Sequence, residues 1–108
     1  MLFNLKSKSN KISQKEAKEI MDSREITLVD VRTPGEYAQG YIKGAKLLPL
    51  DRIAFDASKT LKDKDAEIFV YCLSGNRSRS AAAILTRSGY TNVTNIGGIG
   101  TWPYDITR

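Results

Sequence analysis

The sequence predicts an α/β fold, a single domain with a central parallel β-sheet flanked by helices on both faces. Two segments, Ile26–Val31 (ITLVDV) and Glu67–Tyr71 (EIFVY), are almost continuously apolar and rich in β-branched or aromatic residues, as strands buried on both faces are. Helix signals alternate with these strands along the chain, which is the pattern of βαβ units. The length of 108 residues fits one small domain.

The N-terminal segment, residues 1–11, is predicted to be a basic tail, and residues 12–108 the domain. Four lysines in the first fifteen residues supply much of the formal net charge of +5; they are Lys6, Lys8, Lys11 and Lys15. No aromatic residues alternate with a basic stripe, so a nucleic-acid partner is not expected.

Two capping boxes predict the first helices. Ser13 and Glu16 form one, followed by an apolar helical face at Ala17, Ile20 and Met21. Thr33-Pro34-Gly35-Glu36 forms the other, with proline at the first helical position, and Gly40 limits that helix to a few residues.

The remaining elements follow from short patterns. Ala45–Leu50 (AKLLPL) predicts a short strand that Pro49 ends, and Leu50–Ser58 has helical character. Ser78–Arg87 predicts a helix with Gly89 as a suitable C-terminal cap. Asn92–Ile96 (NVTNI) predicts a last strand.

The composition excludes several kinds of site. The chain has no histidine, which removes Ser-His and Cys-His catalysis and histidine metal sites, and one cysteine, which removes an internal disulfide and a structural zinc site. No cofactor is expected. The N-terminus does not resemble a secretion signal, and no apolar run approaches the roughly 20 residues that span a bilayer. These features predict a cytoplasmic protein without a membrane partner.

The single cysteine, Cys72, directly follows the predicted strand Glu67–Tyr71. In an open α/β sheet, ligands bind beyond the carboxyl ends of the strands. The following residues form a polar turn before the helix; they are Leu73, Ser74, Gly75, Asn76, Arg77 and Ser78. Backbone amides of such a turn form a nest for anions, and a helix N-terminus adds partial positive charge.

Gly75 suits a positive φ in this turn, and Arg77 adds a permanent positive charge. These features favour thiolate over thiol, so a lowered pKa is predicted for Cys72. The alternative interpretation is structural. Cys72 would then be a core residue, Ser78 an ordinary N-cap and Arg77 an ordinary surface charge.

Asp30 and Arg32 end the strand Ile26–Val31, so they are expected near the same edge of the sheet as Cys72. Arg32 would add positive potential to the site in one interpretation. In the other, which is favoured, both residues support the loop at Thr33–Glu36 through hydrogen bonds or ion pairs.

Three segments together resemble the rhodanese-like, single-domain sulfurtransferase family. They are Asp30–Leu50 (DVRTPGEYAQGYIKGAKLLPL), Tyr71–Ser78 (YCLSGNRS) and Gly97–Trp102 (GGIGTW), in that order and with suitable spacing. The similarity covers roughly residues 12–102. Leu73 stands where many relatives have an arginine that could help to bind thiosulfate, and Tyr41 where many have a histidine.

The resemblance implies that Cys72 takes a sulfane sulfur from a donor, such as thiosulfate or a persulfide, and passes it from a persulfide to a thiophilic acceptor. The residues Leu73–Arg77, with Ser78, would supply the amides that hold the outer sulfur. The expected partners are therefore a small-molecule or protein sulfur donor and a thiol or cyanide acceptor, and the chain is expected to be a monomer, with a weak oligomer as the alternative.

Two alternatives stay open at this point. One is a non-catalytic interaction or sulfur-carrier module with the same fold. The other is a cysteine-dependent phosphatase or arsenate reductase, whose signature places five residues between cysteine and arginine. Only four separate Cys72 from Arg77, which gives a smaller nest.

Overall fold

A computed structural model describes residues 10–108 of the chain. Its helices are α1 (Gln14–Ser23), α2 (Pro34–Gln39), α3 (Leu50–Thr60) and α4 (Asn76–Arg87). Its strands are β1 (Asn10–Lys11), β2 (Thr27–Asp30), β3 (Tyr41–Ile42), β4 (Lys46–Leu47), β5 (Ile68–Cys72), β6 (Val93–Gly98) and β7 (Ile106–Thr107). A single 3₁₀ turn, Ile99–Thr101, follows β6.

The central sheet has five strands in the order β1-β6-β5-β2-β4, and every neighbouring pair is parallel. Strand β5 lies in the middle, and all five of its residues are buried. This confirms the predicted parallel sheet and explains why β5 reads as a continuous apolar run.

Helices cover both faces of the sheet, as predicted. Alternate residues of β5 point to opposite sides. Ile68, Val70 and Cys72 pack in one cluster with side chains of α3 and α4. Phe69 and Tyr71 pack in a second cluster with Ala17 of α1 and with other residues of that face, including Trp102.

The two capping residues begin their helices as predicted. The hydroxyl of Ser13 accepts a hydrogen bond from the amide of Glu16 at 3.0 Å. At α2 the box is reciprocal, because Thr33 Oγ1 accepts from the amide of Glu36 while the Glu36 carboxylate accepts from the amide of Thr33. Both N-termini therefore have local partners for their first amides.

Helix α4 begins earlier than the sequence suggests. It starts at Asn76, with Gly75 as its N-cap in the left-handed conformation, so Ser78 lies inside the first turn and does not cap the helix. The amide of Arg79 donates to the carbonyl of Gly75 at 3.2 Å, which closes that turn. Cys72 is likewise the last residue of β5 and not the first of the loop.

Small pairings at the edges of the fold were not predicted. Lys11, placed in the tail by its sequence, lies in β1 and pairs with β6, while residues 1–9 of the predicted tail lie outside the described residues. The boundary between tail and domain at residue 12 stays a prediction. Strands β3 and β7 form a separate antiparallel pair. No helix among the described residues is both long and apolar enough to cross a membrane.

Candidate active site

Cys72 ends the central strand and is almost completely buried, with 1% of its surface exposed. Its side chain belongs to the cluster beneath α3 and α4. The strand thus delivers the sulfur to the carboxyl edge of the sheet, directly under the start of α4. Burial alone is also typical of a structural cysteine, so the neighbouring polar groups decide what the thiol can do.

Backbone amides surround the sulfur. The amide of Gly75 donates to Sγ at 3.0 Å, and Gly75 can point its amide inward because its φ is 106°. Amides of Ser74 and Ser78 also act on the sulfur. Helix α4 begins one residue after Gly75, so its unpaired amides and partial positive charge face the same space. Amides that converge on one atom in this way are the arrangement that an anion-binding nest requires.

These groups shift the ionisation of the thiol. Burial raises the pKa of Cys72, but the Ser78 hydroxyl and the amides of Ser78, Gly75 and Ser74 lower it by more, so the net pKa lies below the ordinary value. The predicted direction is therefore confirmed. The lowering comes chiefly from hydrogen bonding to the sulfur. Attraction between the sulfur and Arg77 also raises the pKa of Arg77.

Ser78 and Asn95 connect the loop to β6. The Ser78 hydroxyl lies 3.5 Å from Cys72 Sγ and 2.7 Å from Asn95 Oδ1, and it can donate its single proton to either acceptor. Asn95 Oδ1 also accepts from the amide of Gly97 at 2.9 Å, which fixes the orientation of the side-chain amide. Asn95 Nδ2 then donates to the carbonyl of Gly75 at 3.2 Å. This network connects the turn at Gly75 to strand β6 and holds it in place.

Glycines at the end of β6 let the backbone approach the loop closely. A Cβ at Gly98 would overlap the carbonyl oxygen of Leu73, and one at Gly75 would touch Gly97. The amide of Gly100 donates to the same Leu73 carbonyl at 3.1 Å. That carbonyl therefore has a hydrogen-bond partner beyond the loop. The role of the GGIG segment lies in this close contact, which its sequence alone does not reveal.

Arg77 does not present a free charge to the sulfur. Its guanidinium makes a bidentate ion pair with Glu36 of α2, at 2.8 and 2.9 Å. Arg77 and the amide of Thr33 lower the pKa of Glu36 to about 2, so the carboxylate keeps its charge. Sequence analysis placed Glu36 only in a capping box. Its second partner lies 41 residues away in the chain, and no local pattern points to it.

A shallow cavity of about 340 Å³ opens beside Arg77, between the beginnings of α2 and α3. Its lining is largely apolar and consists of Val31, Arg32, Thr33, Pro34, Pro49, Leu50, Asp51 and Arg77. Asp30 pairs with Tyr71 in the sheet, so the residues that follow them, Val31 and Cys72, lie side by side. Because Val31 lines the cavity, the cavity adjoins the position of Cys72. Leu73 is half exposed on the loop itself.

Among the described residues, no group of histidine, cysteine, aspartate and glutamate side chains is arranged to hold a metal ion. The remaining polar groups near the loop, Ser74 and Asn76, are exposed. Asn76 Oδ1 accepts a long hydrogen bond of 3.3 Å from Arg79. The described residues of the site thus provide one ionisable group, the Cys72 thiol, and backbone amides that donate hydrogen bonds to it.

Comparison with known proteins agrees with this geometry. The family model of the rhodanese-like domain matches residues 13–103. The chain belongs to the rhodanese-like domain family. A sulfurtransferase of Allochromatium vinosum is 42% identical over 91 residues, which cover 83% of each chain. Thiosulfate sulfurtransferase PspE of Escherichia coli strain K12 is 38% identical over 71 residues, covering 66% of this chain and 68% of PspE.

Solved structures give the same result. A rhodanese with anions from E. coli superposes with a TM-score of 0.72 at 32% identity, and the match covers 77% of this chain and 98% of that one. The described fold is therefore the rhodanese-like fold. Because its curated relatives of similar length are sulfurtransferases, we assign this rhodanese-like domain to that class of enzyme.

Asp30 and Arg32 lie inside the rhodanese-like domain as a buried ion pair. Asp30 is fully buried and Arg32 is 5% exposed, and Arg32 Nη2 lies 2.7 Å from Asp30 Oδ2. Arg32 Nη2 also donates to the carbonyl of Gly40 at 2.7 Å, just beyond the end of α2. The pair thus holds the C-terminal end of α2 near the end of β2. Support of the loop at Thr33–Glu36 stays a prediction.

The thiol of this rhodanese-like domain should ionise at lower pH than an ordinary cysteine. Thiolate formation can be measured by ultraviolet absorbance during a pH titration, with Cys72→Ser as the blank that removes the tyrosine background. The midpoint of the titration should lie below about pH 8.5. Ser78→Ala should move the midpoint back upward, because the hydroxyl helps to lower the pKa. A wild-type midpoint at or above 8.5 would show that the amides do not stabilise the thiolate.

A methyl group at Gly98 should disturb the same loop. Gly98 has an ordinary extended backbone, with φ of −133°, so Gly98→Ala acts only through its overlap with Leu73. Overpacking of this kind costs about 1–3 kcal/mol of unfolding free energy. The displaced loop should also lower sulfur transfer, by about tenfold or more.

The matched control is Gly35→Ala in α2, where the new Cβ would meet only Thr33 Oγ1 at 3.9 Å, an ordinary contact. Urea denaturation and transfer rates should separate the two variants clearly. Equal stability and equal transfer rates of the two alanine variants would mean that the loop moves to accommodate the new methyl group without loss of stability or activity.

Proposed function

We propose that this rhodanese-like domain moves a sulfane sulfur from thiosulfate or a persulfide donor to a thiol or cyanide acceptor, through a persulfide on Cys72. The observation that carries the proposal is the hydrogen bond from the Gly75 amide to Cys72 Sγ at the N-terminus of α4. A sulfur held in this way ionises without a general base, which suits a chain that has no histidine.

In the first half of the reaction, the Cys72 thiolate attacks the outer sulfur of the donor. A new S–S bond forms, the donor's own bond to that sulfur breaks, and its electron pair leaves with sulfite or with the donor thiolate. The enzyme now carries Cys72–S–S⁻. The outer sulfur bears the negative charge, and the amides of the loop from Leu73 to Ser78 stabilise it as an oxyanion hole stabilises oxygen.

In the second half, cyanide or an acceptor thiolate attacks that outer sulfur. The enzyme's S–S bond breaks, its electron pair returns to Cys72 as thiolate, and thiocyanate or a new persulfide leaves. Atoms and charge balance without any added oxidant or reductant. The two displacements share one covalent intermediate, so the kinetics should be ping-pong.

The remaining site residues have supporting roles in this proposal. Arg77 fixes the end of the loop through its ion pair with Glu36. Asp30 and Arg32 hold α2, which carries Glu36, against the sheet. Leu73, half exposed, and the apolar cavity beside Arg77 form the surface over which a donor reaches the loop.

The name of PspE as a thiosulfate sulfurtransferase supports thiosulfate as one donor, and the rhodanese solved with anions supports an anionic one. Leu73 and the apolar wall of the cavity favour a donor with a carbon skeleton, such as an organic persulfide, over a small dianion. The proposal therefore keeps both donors and ranks the persulfide as the faster.

Intact mass spectrometry tests the proposal. The protein is incubated with thiosulfate or with a persulfide of a small thiol, and one added sulfur is expected, which cyanide or excess thiol then removes. The same samples are assayed for hydrolysis of a general phosphatase substrate, 3-O-methylfluorescein phosphate, which should be negligible because the nest is small and Arg77 is held by Glu36. Absence of the added sulfur with every donor, together with Cys72-dependent phosphatase turnover, would overturn the assignment.

A further inference from the structure

A surface groove runs between α4 and the sheet edge at β1. It encloses about 680 Å³, and its floor is built from small side chains on one face of the helix. The residues that line it are Lys11, Arg79, Ala82, Ala83, Thr86 and Arg87, with Asn95 at the base. The small alanine side chains leave room for a polypeptide to lie against the helix.

The charges around this groove have one sign. Lys11, Arg79 and Arg87 contribute three cations, and the lining includes no acidic side chain. All three are exposed, and none is in an ion pair within residues 10–108. By contrast, Arg77 on the same helix is paired with Glu36. The groove therefore attracts anions, whereas the charge of Arg77 is already balanced by Glu36.

One residue of the groove, Asn95, contacts the active-site loop directly. Asn95 lines the base of the groove and also donates to the carbonyl of Gly75 in the loop. Arg79 lies in the first turn of α4 and Arg87 ends that helix, eight positions later. At 1.5 Å per residue the two are about 12 Å apart along the axis, which equals about four residues of extended chain.

We propose that this groove docks an acidic, extended segment of the partner protein that exchanges sulfur with Cys72. The inference rests on the proposed function and adds the class of partner. A segment of about four residues with alternating or successive acidic side chains matches the length and the charge of the groove. Bound there, it places the neighbouring cysteine of the partner near the loop, which raises the effective concentration of that thiol at Cys72.

Sulfur transfer to two model peptides tests this inference. Both carry a C-terminal cysteine after a short glycine linker, preceded by four residues that are Asp-Glu-Asp-Glu in one peptide and Asn-Gln-Asn-Gln in the other. With Cys72 loaded as persulfide, the acidic peptide should accept sulfur about tenfold faster at low ionic strength. The advantage should shrink as salt screens the charges.

Two triple variants locate the effect. Lys11→Gln, Arg79→Gln and Arg87→Gln combined should bring the acidic peptide to within about twofold of the neutral one. The control removes the same charge elsewhere, at Lys46, Lys59 and Lys62, which are exposed and do not line the groove, and it should keep most of the advantage. Transfer to cyanide should be the same in all three proteins.

Equal rates of the wild type and the groove variant with the acidic peptide would refute the inference. So would an equal loss in both triple variants, because net charge alone would then explain it. Fluorescence anisotropy with a labelled acidic peptide that lacks cysteine gives a second reading that does not need the persulfide. If Cys72 forms no persulfide but this peptide still binds through the three cations, the proposed function is wrong, whereas the assignment of the groove as a site for acidic peptides is kept.

The same anisotropy experiment includes a labelled single-stranded oligonucleotide. Binding of the oligonucleotide that is tighter than binding of the peptide, and that depends on Lys11, Arg79 and Arg87, would assign the groove to nucleic acid and overturn the inference.

Discussion

Cys72→Ser is expected to abolish sulfur transfer to cyanide and to thiols, by at least about a thousandfold. A serine hydroxyl does not ionise near neutral pH and cannot form a persulfide, and the chain has no second cysteine to replace Cys72. The fold should be kept, because serine is close to cysteine in size and its hydroxyl has the Gly75 amide as a hydrogen-bond partner.

Steady-state transfer and intact mass spectrometry measure the loss, while thermal unfolding and far-ultraviolet circular dichroism check the fold. Ser74→Ala is a suitable companion variant, since Ser74 acts on the sulfur through its backbone amide and its exposed side chain is not required. It should keep most of the activity. Undiminished transfer by Cys72→Ser would remove the persulfide from the mechanism altogether.

Arg32→Met is expected to give the largest loss of stability, about 3–5 kcal/mol of unfolding free energy. The substitution leaves the fully buried Asp30 carboxylate without its counter-ion and the carbonyl of Gly40 without its donor. Domains of this kind have about 5–15 kcal/mol in total, so the loss is a large fraction of that. Urea denaturation should show a clearly lower midpoint.

The matched control is Arg24→Met, which breaks an ion pair with Glu67 whose arginine side chain is 54% exposed. Solvent screens that pair, and its loss should cost less than about 1 kcal/mol. If Arg32→Met does not fold, adding Asp30→Asn removes the buried charge and should restore part of the stability. A cost for Arg32→Met no larger than that for Arg24→Met would show that the buried pair does not support α2.

The sheet and the main helices could be predicted because their signals are local and periodic. Capping boxes, the apolar run of β5 and the glycine turn each occupy a few consecutive residues. The pairs β1–β6 and β3–β7 could not be predicted, since two-residue strands are too short to show alternation. The start of α4 was misplaced because Gly75 caps it by its backbone alone, without the side-chain cap that a sequence pattern shows.

The position of Cys72 at the end of a strand, and the turn that follows it, could likewise be predicted, because strand, cysteine, glycine and helix are adjacent in the chain. Glu36, Asn95 and Gly98 could not. Their partners in the loop lie tens of residues away, and contact between them depends on how parallel strands place distant segments at one edge. Sequence spacing therefore finds the candidate cysteine, whereas the fold determines which distant residues hold its loop.

The carboxylate of Glu36 has a consequence for how the enzyme responds to acid. Its pKa, lowered from 4.5 to about 2, means that its contribution to stability is fully present above about pH 4.5 and disappears only as the pH falls through about 2. Arg77 stays protonated throughout. Between mildly acidic and neutral pH, the charges of Glu36 and Arg77 thus do not change. Among Cys72, Glu36 and Arg77, only the sulfur changes its charge. In the proposed mechanism, the ionisation of this single sulfur atom therefore sets the fraction of molecules that are ready to react.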